Sequence, residues 1–321
     1  MGAERERLSG PTGRDGLTAW HQWGPFVAAR AWGTVREDYS ADGEAWDFFP
    51  HDHARSRTYR WGEDALAGVC DSRQGLCLGL ALWNGRDPFL KERAFGLANA
   101  EGNHGEDAKD HWWHLDAVPT SSWLSWRYHY PQAEFPYDEL VRANRERTGD
   151  DAEYELVDTG VFDDDRYWVV DVAYAKADLD DLCMRVRVRN AGPEPATLHV
   201  LPHLWFRNTW AWGKQASELK PSMRMSSDGE VVEVDHPAHL GQWTFVASAG
   251  GDPDGVDPAW LFCENDTNTT RLWGDDAEVV TAHPKDAIND HVVSGADTVN
   301  PAQIGTKSAA WFTVSAAPGE T

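Results

Sequence analysis

The alternation of apolar and polar positions is plainest after residue 150. Trp168, Val170, Val172 and Tyr174 alternate with Val169, Asp171 and Ala173. Leu182, Met184, Val186 and Val188 alternate with Cys183, Arg185, Arg187 and Arg189. A period of two marks a strand with one apolar face. The second run therefore has an apolar and a basic face, and it closes at the turn Asn190-Ala-Gly-Pro193. Further strands are predicted over 197–206, 230–235, 242–248, 259–264, 270–273 and 309–315. Leu76 to Trp83 is continuously apolar and runs into Asn84-Gly85, as expected of a strand buried on both faces. Residues 137–150 form the one convincing short helix, with Leu140, Val141 and Asn144 at helical spacing and Gly149 placed to stop it.

Residues 18–130 lack long periodic runs and are broken at Asp42-Gly43, Pro50, Asn84-Gly85 and Gly102-Asn103. They read as short strands joined by long loops. Residues 1–17 are polar and Gly-rich, as in a flexible arm. Strands at this spacing predict an all-β fold, an antiparallel sandwich with long loops and one short helix. The triplet Asp163-Asp164-Asp165 reads as a solvated turn.

Charge narrows the possible partners. The chain of 321 residues carries 29 Lys+Arg against 53 Asp+Glu, a formal net charge of −24. Such a balance argues against a nucleic acid or an anionic membrane as partner, because binding phosphates rests on Lys and Arg. No stretch approaches the about 18 apolar residues of a membrane-spanning helix, and the N-terminus lacks the apolar centre of a signal peptide. The four cysteines, at 70, 77, 183 and 263, match no zinc or redox spacing. They read as reduced thiols of a cytoplasmic protein, with Cys70 and Cys77 able to pair if they lie on adjacent strands. Ten of the 18 Trp precede residue 127. Indoles offer flat faces to sugar rings and cations, so this excess directs attention to the N-terminal loops.

Three constellations could carry chemistry. The densest, residues 30–64, alternates charged and aromatic side chains: Trp32, Arg36, Glu37 and Asp38, then His51, Asp52, His53, Arg55 and Arg57, then Trp61, Glu63 and Asp64. Carboxylates and guanidinium groups bond vicinal hydroxyls, and indoles stack on the C–H face of a sugar ring. A buried polar network stapling loops to a sandwich would use the same letters. His51 and His53 would share a face if they lay on a strand, but no third metal ligand is evident and Pro50 reads as a loop, so hydrogen-bonding histidines are expected and no metal. The second group is Glu101, Asn103, His104, Glu106 and Asp107, followed by Trp112-Trp113-His114. Glu101 with Glu106 or Asp107 would suit general acid–base work, and a solvated loop predicts the same residues. The third is Arg207 and Asn208, which close an apolar strand at a turn facing either a cleft or solvent. No phosphate loop, nucleophile elbow or HExxH occurs, and no cofactor is expected.

Longer stretches carry a resemblance: Trp20-x-x-Trp23-Gly-Pro25, Trp32-Gly-Thr-Val-Arg-Glu-Asp-Tyr-Ser40, Phe49-Pro-His-Asp-His-Ala-Arg-Ser-Arg57, Tyr59-Arg-Trp-Gly-Glu-Asp64 and Leu82-Trp-Asn-Gly85. They continue through Leu90-Lys-Glu-Arg93, Glu101-Gly-Asn-His-Gly-Glu-Asp107, Tyr154-Glu-Leu-Val-Asp-Thr-Gly160 and Leu204-Trp-Phe-Arg-Asn-Thr-Trp210. Together they resemble the N-terminal part of the bacterial and archaeal glucosidase-like proteins of glycoside hydrolase family 63, which are similar to mannosyl-oligosaccharide glucosidase. The resemblance implies an N-terminal β-super-sandwich of the galactose-mutarotase-like kind over residues 18–321, with a loop-rich aromatic part (18–130), a short helix (137–150) and regular strands (151–321). It also implies a following (α/α) toroid, absent from these residues, that carries an inverting pair of carboxylates.

No residue here inherits the catalytic acid or base. The loops at 46–64 and 101–114 are expected to face an oligosaccharide or glucoside and the toroid. Two other readings stay open: a stand-alone carbohydrate-binding domain, and a mutarotase-like epimerase using His203 or His104 with Glu101.

Overall fold

In the computed structural model the alternating runs become strands of three antiparallel sheets. The structure describes residues 2–13, 16–27, 51–58, 65–93, 110–213, 217–238, 240–250 and 255–321. In chain order the first strands are β1 (Trp23–Phe26), β2 (Leu66–Asp71), β3 (Leu76–Trp83), β4 (Trp112–Ala117) and β5 (Trp123–Pro131). Next come β6 (Tyr167–Asp178), β7 (Asp181–Asn190), β8 (Ala196–Phe206), β9 (Ser222–Met225) and β10 (Val232–His236). The last are β11 (Gly241–Phe245), β12 (Ala259–Cys263), β13 (Ile304–Gly305) and β14 (Lys307–Ala316). Six strands pair in the order β1-β2-β3-β8-β14-β12, four as β11-β10-β9-β13 and four as β4-β5-β6-β7.

One face of the six-stranded sheet builds the main core. Leu76, Leu78, Leu80 and Leu82 of β3 and Leu198, Val200, Leu204 and Phe206 of β8 meet Trp126, Tyr128, Tyr130, Trp168 and Val170 of the β4–β7 sheet and Met223, Val232 and Val234 of the β9–β11 strands. Each such side chain, fully buried, contributes about 1.5–3 kcal/mol. The second face carries the intervening positions, Ala81, Leu201, Leu261, Cys263 and Ala309, packed with helical residues Ala287, Ile288 and Val292. Strand β3 is thus buried on both faces, as its unbroken apolar run requires. On β7 the apolar positions are half-buried and Arg185, Arg187 and Arg189 are exposed.

Among the described residues the α-helices are α1 (Ala3–Leu8), α2 (His51–Ala54), α3 (Tyr137–Arg145), α4 (Thr269–Trp273) and α5 (Ala287–Ser294). Helix α3 lies where the periodicity placed it, burying Leu140 and Asn144, but it ends at Glu146, before Gly149. The predicted strand at 270–273 is helical instead, because the Asn268 side chain caps the backbone N–H of Arg271 and Gly274 closes the turn. The expected loose arm at 1–17 contains α1, and its Glu4 carboxylate accepts hydrogen bonds from the backbone N–H and hydroxyl of Thr120, both at 2.8 Å. The triplet 163–165 is an exposed turn of 3-10 helix, as its charge predicts. No helix among the described residues is long and apolar enough to cross a membrane.

Candidate functional site

The second face of the six-stranded sheet carries a buried charged group. Three positions bring it there. Lys307 opens β14 and stands beside Trp205 of β8 and Cys263 of β12. His203 of β8 lies between Gly79 of β3 and Ala309 of β14. Glu92 follows β3, and its carbonyl accepts the Leu66 N–H at 3.0 Å. The Lys307 ammonium donates to Glu92 Oε1 at 2.7 Å, and His203 Nδ1 stands 3.9 Å from the same oxygen. Gly79 makes room for the imidazole, since a Cβ there would sit 3.2 Å from His203 Nε2. That nitrogen is buried without a hydrogen-bond partner.

This environment sets the protonation states. Burial alone would raise the Glu92 carboxyl, but Lys307, with His203 and Arg93, outweighs burial and holds Glu92 at about 2. Burial, with Lys307 and Lys285 adding repulsion, pushes His203 down to about 3. Burial pushes the neighbouring Cys263 thiol up to about 12. Near neutrality Glu92 is therefore a fixed anion, His203 a neutral ring and Cys263 a thiol. None is poised to exchange a proton at pH 7.

Residues 51–58 lie over this face. Arg93 donates to the Ala54 carbonyl at 2.9 Å, and Lys285 donates to the carbonyls of Ala54 (3.4 Å) and Arg57 (3.0 Å). The Ser56 hydroxyl donates to the buried Asp286 at 2.7 Å, Asn268 N–H to the Ser56 carbonyl at 2.8 Å, and Thr58 N–H to Thr267 Oγ1 at 3.1 Å. Asp286 also accepts from Asn268 and Arg271. Apart from Arg93, 39 residues on, the groups that sew the segment down lie more than 200 residues away in sequence. Within it the guanidinium of Arg55 sits 4.0 Å over the Phe89 ring, and that of Arg57 sits 6.0 Å from the Trp273 ring. His53 accepts from Ser56 N–H and Arg57 N–H through its carbonyl. The backbone at 51–54 is helical, so the strand geometry that would align His51 with His53 is not the one adopted.

A second polar group stands at the end of β8. Asn208 is buried and donates to the Asn265 carbonyl at 2.9 Å and to Asp266 Oδ1 at 2.7 Å. The indole of Trp210 donates to the same oxygen at 2.8 Å, and Lys220 pairs with Glu264 at 3.0 Å. Asn208 thus acts on the scaffold. Arg207 differs. Its guanidinium lies 5.4 Å from the ring of Trp212, an indole 40% exposed, and its buried Nε has no partner.

Of the sequence candidates, His53, Arg55 and Arg57 are brought beside the Glu92–Lys307 face, and Arg207 and Asn208 form the group after β8. His51 and Asp52 belong to α2, whose backbone alone is described there. Trp32, Arg36, Glu37, Asp38, Trp61, Glu63, Asp64, Glu101, Asn103, His104, Glu106 and Asp107 lie outside the described residues. Sequence reasoning did not select Glu92 or Lys307. The local signal was a lysine at the head of an apolar strand, in a chain with only seven lysines.

Comparison with known proteins finds a yeast relative. The chain is 38% identical over 334 residues to the uncharacterized protein YMR196W of Saccharomyces cerevisiae, a match covering 96% of this chain and 30% of the yeast protein. The chain thus spans under a third of that relative's length. No protein-family model matches the chain, and no solved structure matches it.

Proposed function

We propose that this chain is the N-terminal, non-catalytic super-sandwich of a family 63-like glycoside hydrolase that inverts α-glucosidic or related bonds. In this reading the sandwich is of the galactose-mutarotase-like kind, and the protein is cytoplasmic. The chain shapes one side of a sugar cleft and docks on an (α/α) toroid elsewhere in the polypeptide. A protonated carboxyl on the toroid donates to the leaving oxygen. A second carboxylate, about 6.5–9.5 Å away, activates water. Residues of the present chain position and desolvate the sugar without moving its protons.

The observation that carries this reading is the state of the buried polar centre. Glu92 at about 2 and His203 at about 3 lie far from the range a general acid or base needs near neutrality. The same observation weighs against an epimerase built on His203. The length of the yeast relative, of which this chain matches 30%, supports the presence of further modules in such proteins. The aromatic and guanidinium surface at Trp212 and Arg207 supports a sugar or toroid partner.

Incubating the full-length yeast relative and this chain separately with α-gluco-oligosaccharides, and following the released anomer by NMR, tests the proposal. The full-length protein is expected to release the β-anomer first, and this chain alone to release nothing. Hydrolysis by this chain alone, or a retained anomer from the full-length protein, overturns it. Binding measured by calorimetry, with no hydrolysis by either protein, would replace it with a carbohydrate-binding domain.

A further inference from the structure

Strands β2 and β3 are joined by a tight turn, and their register sets Cys70 directly opposite Cys77. Both side chains are buried, at 7% and 0% exposure, and both pack with Val27, Ala65 and Trp205. They therefore share the second face of the six-stranded sheet. Directly opposed residues of an antiparallel pair have Cα atoms about 4.5–5.5 Å apart. A disulfide spans about 4.4–6.8 Å between Cα atoms, a range that includes this separation. The turn holds this register. The Asp71 carboxylate accepts from the backbone N–H of Arg73 at 2.8 Å, of Gly75 at 2.6 Å and of Leu76 at 2.7 Å. The other two cysteines have no such neighbour. Cys183 is exposed on β7, and Cys263 belongs to the cluster under α5.

We infer that Cys70 and Cys77 are a redox pair, reduced in the resting protein and closed to a cross-strand disulfide by a peroxide. Cys70, the less buried of the two, attacks one peroxide oxygen. The O–O bond breaks, a sulfenic acid forms, and the departing hydroxide takes the thiol proton to leave as water. The Cys77 sulfur then attacks the sulfenic sulfur. The S–S bond forms, the S–O bond breaks, and the second water leaves with the Cys77 proton. Two thiols are oxidised and one peroxide is reduced to two waters. A dithiol reductant reverses the closure by exchange. The bond ties β2, which carries a left-handed Ala67 at φ 48, to β3 beside the Gly79–His203 position. It stiffens β2, one strand in from the sheet edge, and β3, on the same face as the Glu92–Lys307 pair.

Trypsin supplies the readout, because Arg73 lies between the two cysteines. The native chain is treated with hydrogen peroxide, alkylated and digested. The expected result is a linked pair of peptides, one holding Cys70 and one Cys77, that separates on reduction. The oxidised chain should also unfold about 2–4 °C higher than the reduced chain. A Cys183→Ser background, in which intermolecular bridges through the exposed thiol are excluded, should give the same linked pair. In Cys77→Ala the sulfenic acid at Cys70 has no resolving thiol and should be captured by dimedone. Conversion of Cys183 alone, or oxidation of Cys70 to sulfinic acid with no linked peptide in the parent chain, overturns the inference.

Discussion

Lys307 and Glu92, 215 residues apart in sequence, form a 2.7 Å ion pair on a face of the six-stranded sheet that is otherwise apolar over β3 and β12. Their side chains are 4% and 11% exposed, so water screens the pair little. Removing one partner leaves the other charge buried and unpaired, which costs about 3–5 kcal/mol. Lys307→Met and Glu92→Gln should each lower the urea midpoint on that scale, and the double variant should recover much of the loss. Single variants that unfold within about 0.5 kcal/mol of the parent would show that the pair is not buried in solution.

The same face makes the fold sensitive to acid. An unfolded histidine binds a proton near pH 6.5, whereas folded His203 resists one down to about 3. Between those values the unfolded chain holds the extra proton, so the stability from a neutral His203 is full above pH 6.5 and is lost as pH falls. Glu92, held at about 2, acts with the same sign from its ordinary value near 4.5 downward. Asp87 and Asp110, raised by burial, act with the opposite sign, so the informative quantity is a difference. His203→Gln should flatten the fall in unfolding free energy between pH 6.5 and 4.5 by up to about 1.4 kcal/mol per pH unit relative to the parent. Parallel curves for variant and parent would refute it.

Two glycines separate steric need from mere presence. A Cβ on Gly305 would lie 2.2 Å from the Cys263 carbonyl oxygen, where β13 crosses the end of β12, and backbone cannot yield as a side chain can. Gly305→Ala should cost about 3 kcal/mol or more. A Cβ on Gly149 meets nothing within 4 Å, and its φ is not left-handed. Gly149→Ala should be neutral or stabilise by up to about 1 kcal/mol. Thermal unfolding of the two variants side by side decides this, and equal losses would count against the packing at Gly305.

How legible these features were follows from their range in sequence. Strands β6, β7, β8 and β14 each run ten residues or more, enough for a period of two to show. Strand β3 was legible because burial on both faces leaves no polar residue in it. Helix α5 spans two turns with Ala287, Ile288 and Val292 as its buried apolar residues, too few for a period to emerge, and α4 is set by its Asn268 cap. Gly149 looked like a helix stop, but α3 had already ended at Glu146. For the site, Arg207 and Asn208 were visible as polar residues closing an apolar strand. Their opposite roles were not, because Asp266, which holds Asn208, is brought in by tertiary folding from 58 residues away. The Glu92–Lys307 pair joins two stretches 215 residues apart, and a lysine at the head of β14 does not by itself point to Glu92.

Those opposite roles give the last prediction. Asn208 supplies one of the donors to buried Asp266 Oδ1, so Asn208→Ala strips a hydrogen bond from a charge that water cannot reach. That loss is worth about 1–3 kcal/mol, and the unfolding temperature should fall by several degrees. Arg207 offers its guanidinium over an exposed indole, a contact worth about 0.5–1 kcal/mol. Arg207→Ala should therefore move the unfolding temperature by less than about 2 °C. If Arg207 faces the sugar, as the proposed function has it, the same variant should weaken gluco-oligosaccharide binding about tenfold, the loss of one charge-assisted hydrogen bond. Calorimetry and thermal unfolding on both variants separate the roles. An Asn208→Ala chain as stable as the parent would remove the scaffold role. An Arg207→Ala chain that binds the sugar as the parent does would remove Arg207 from the proposed sugar surface.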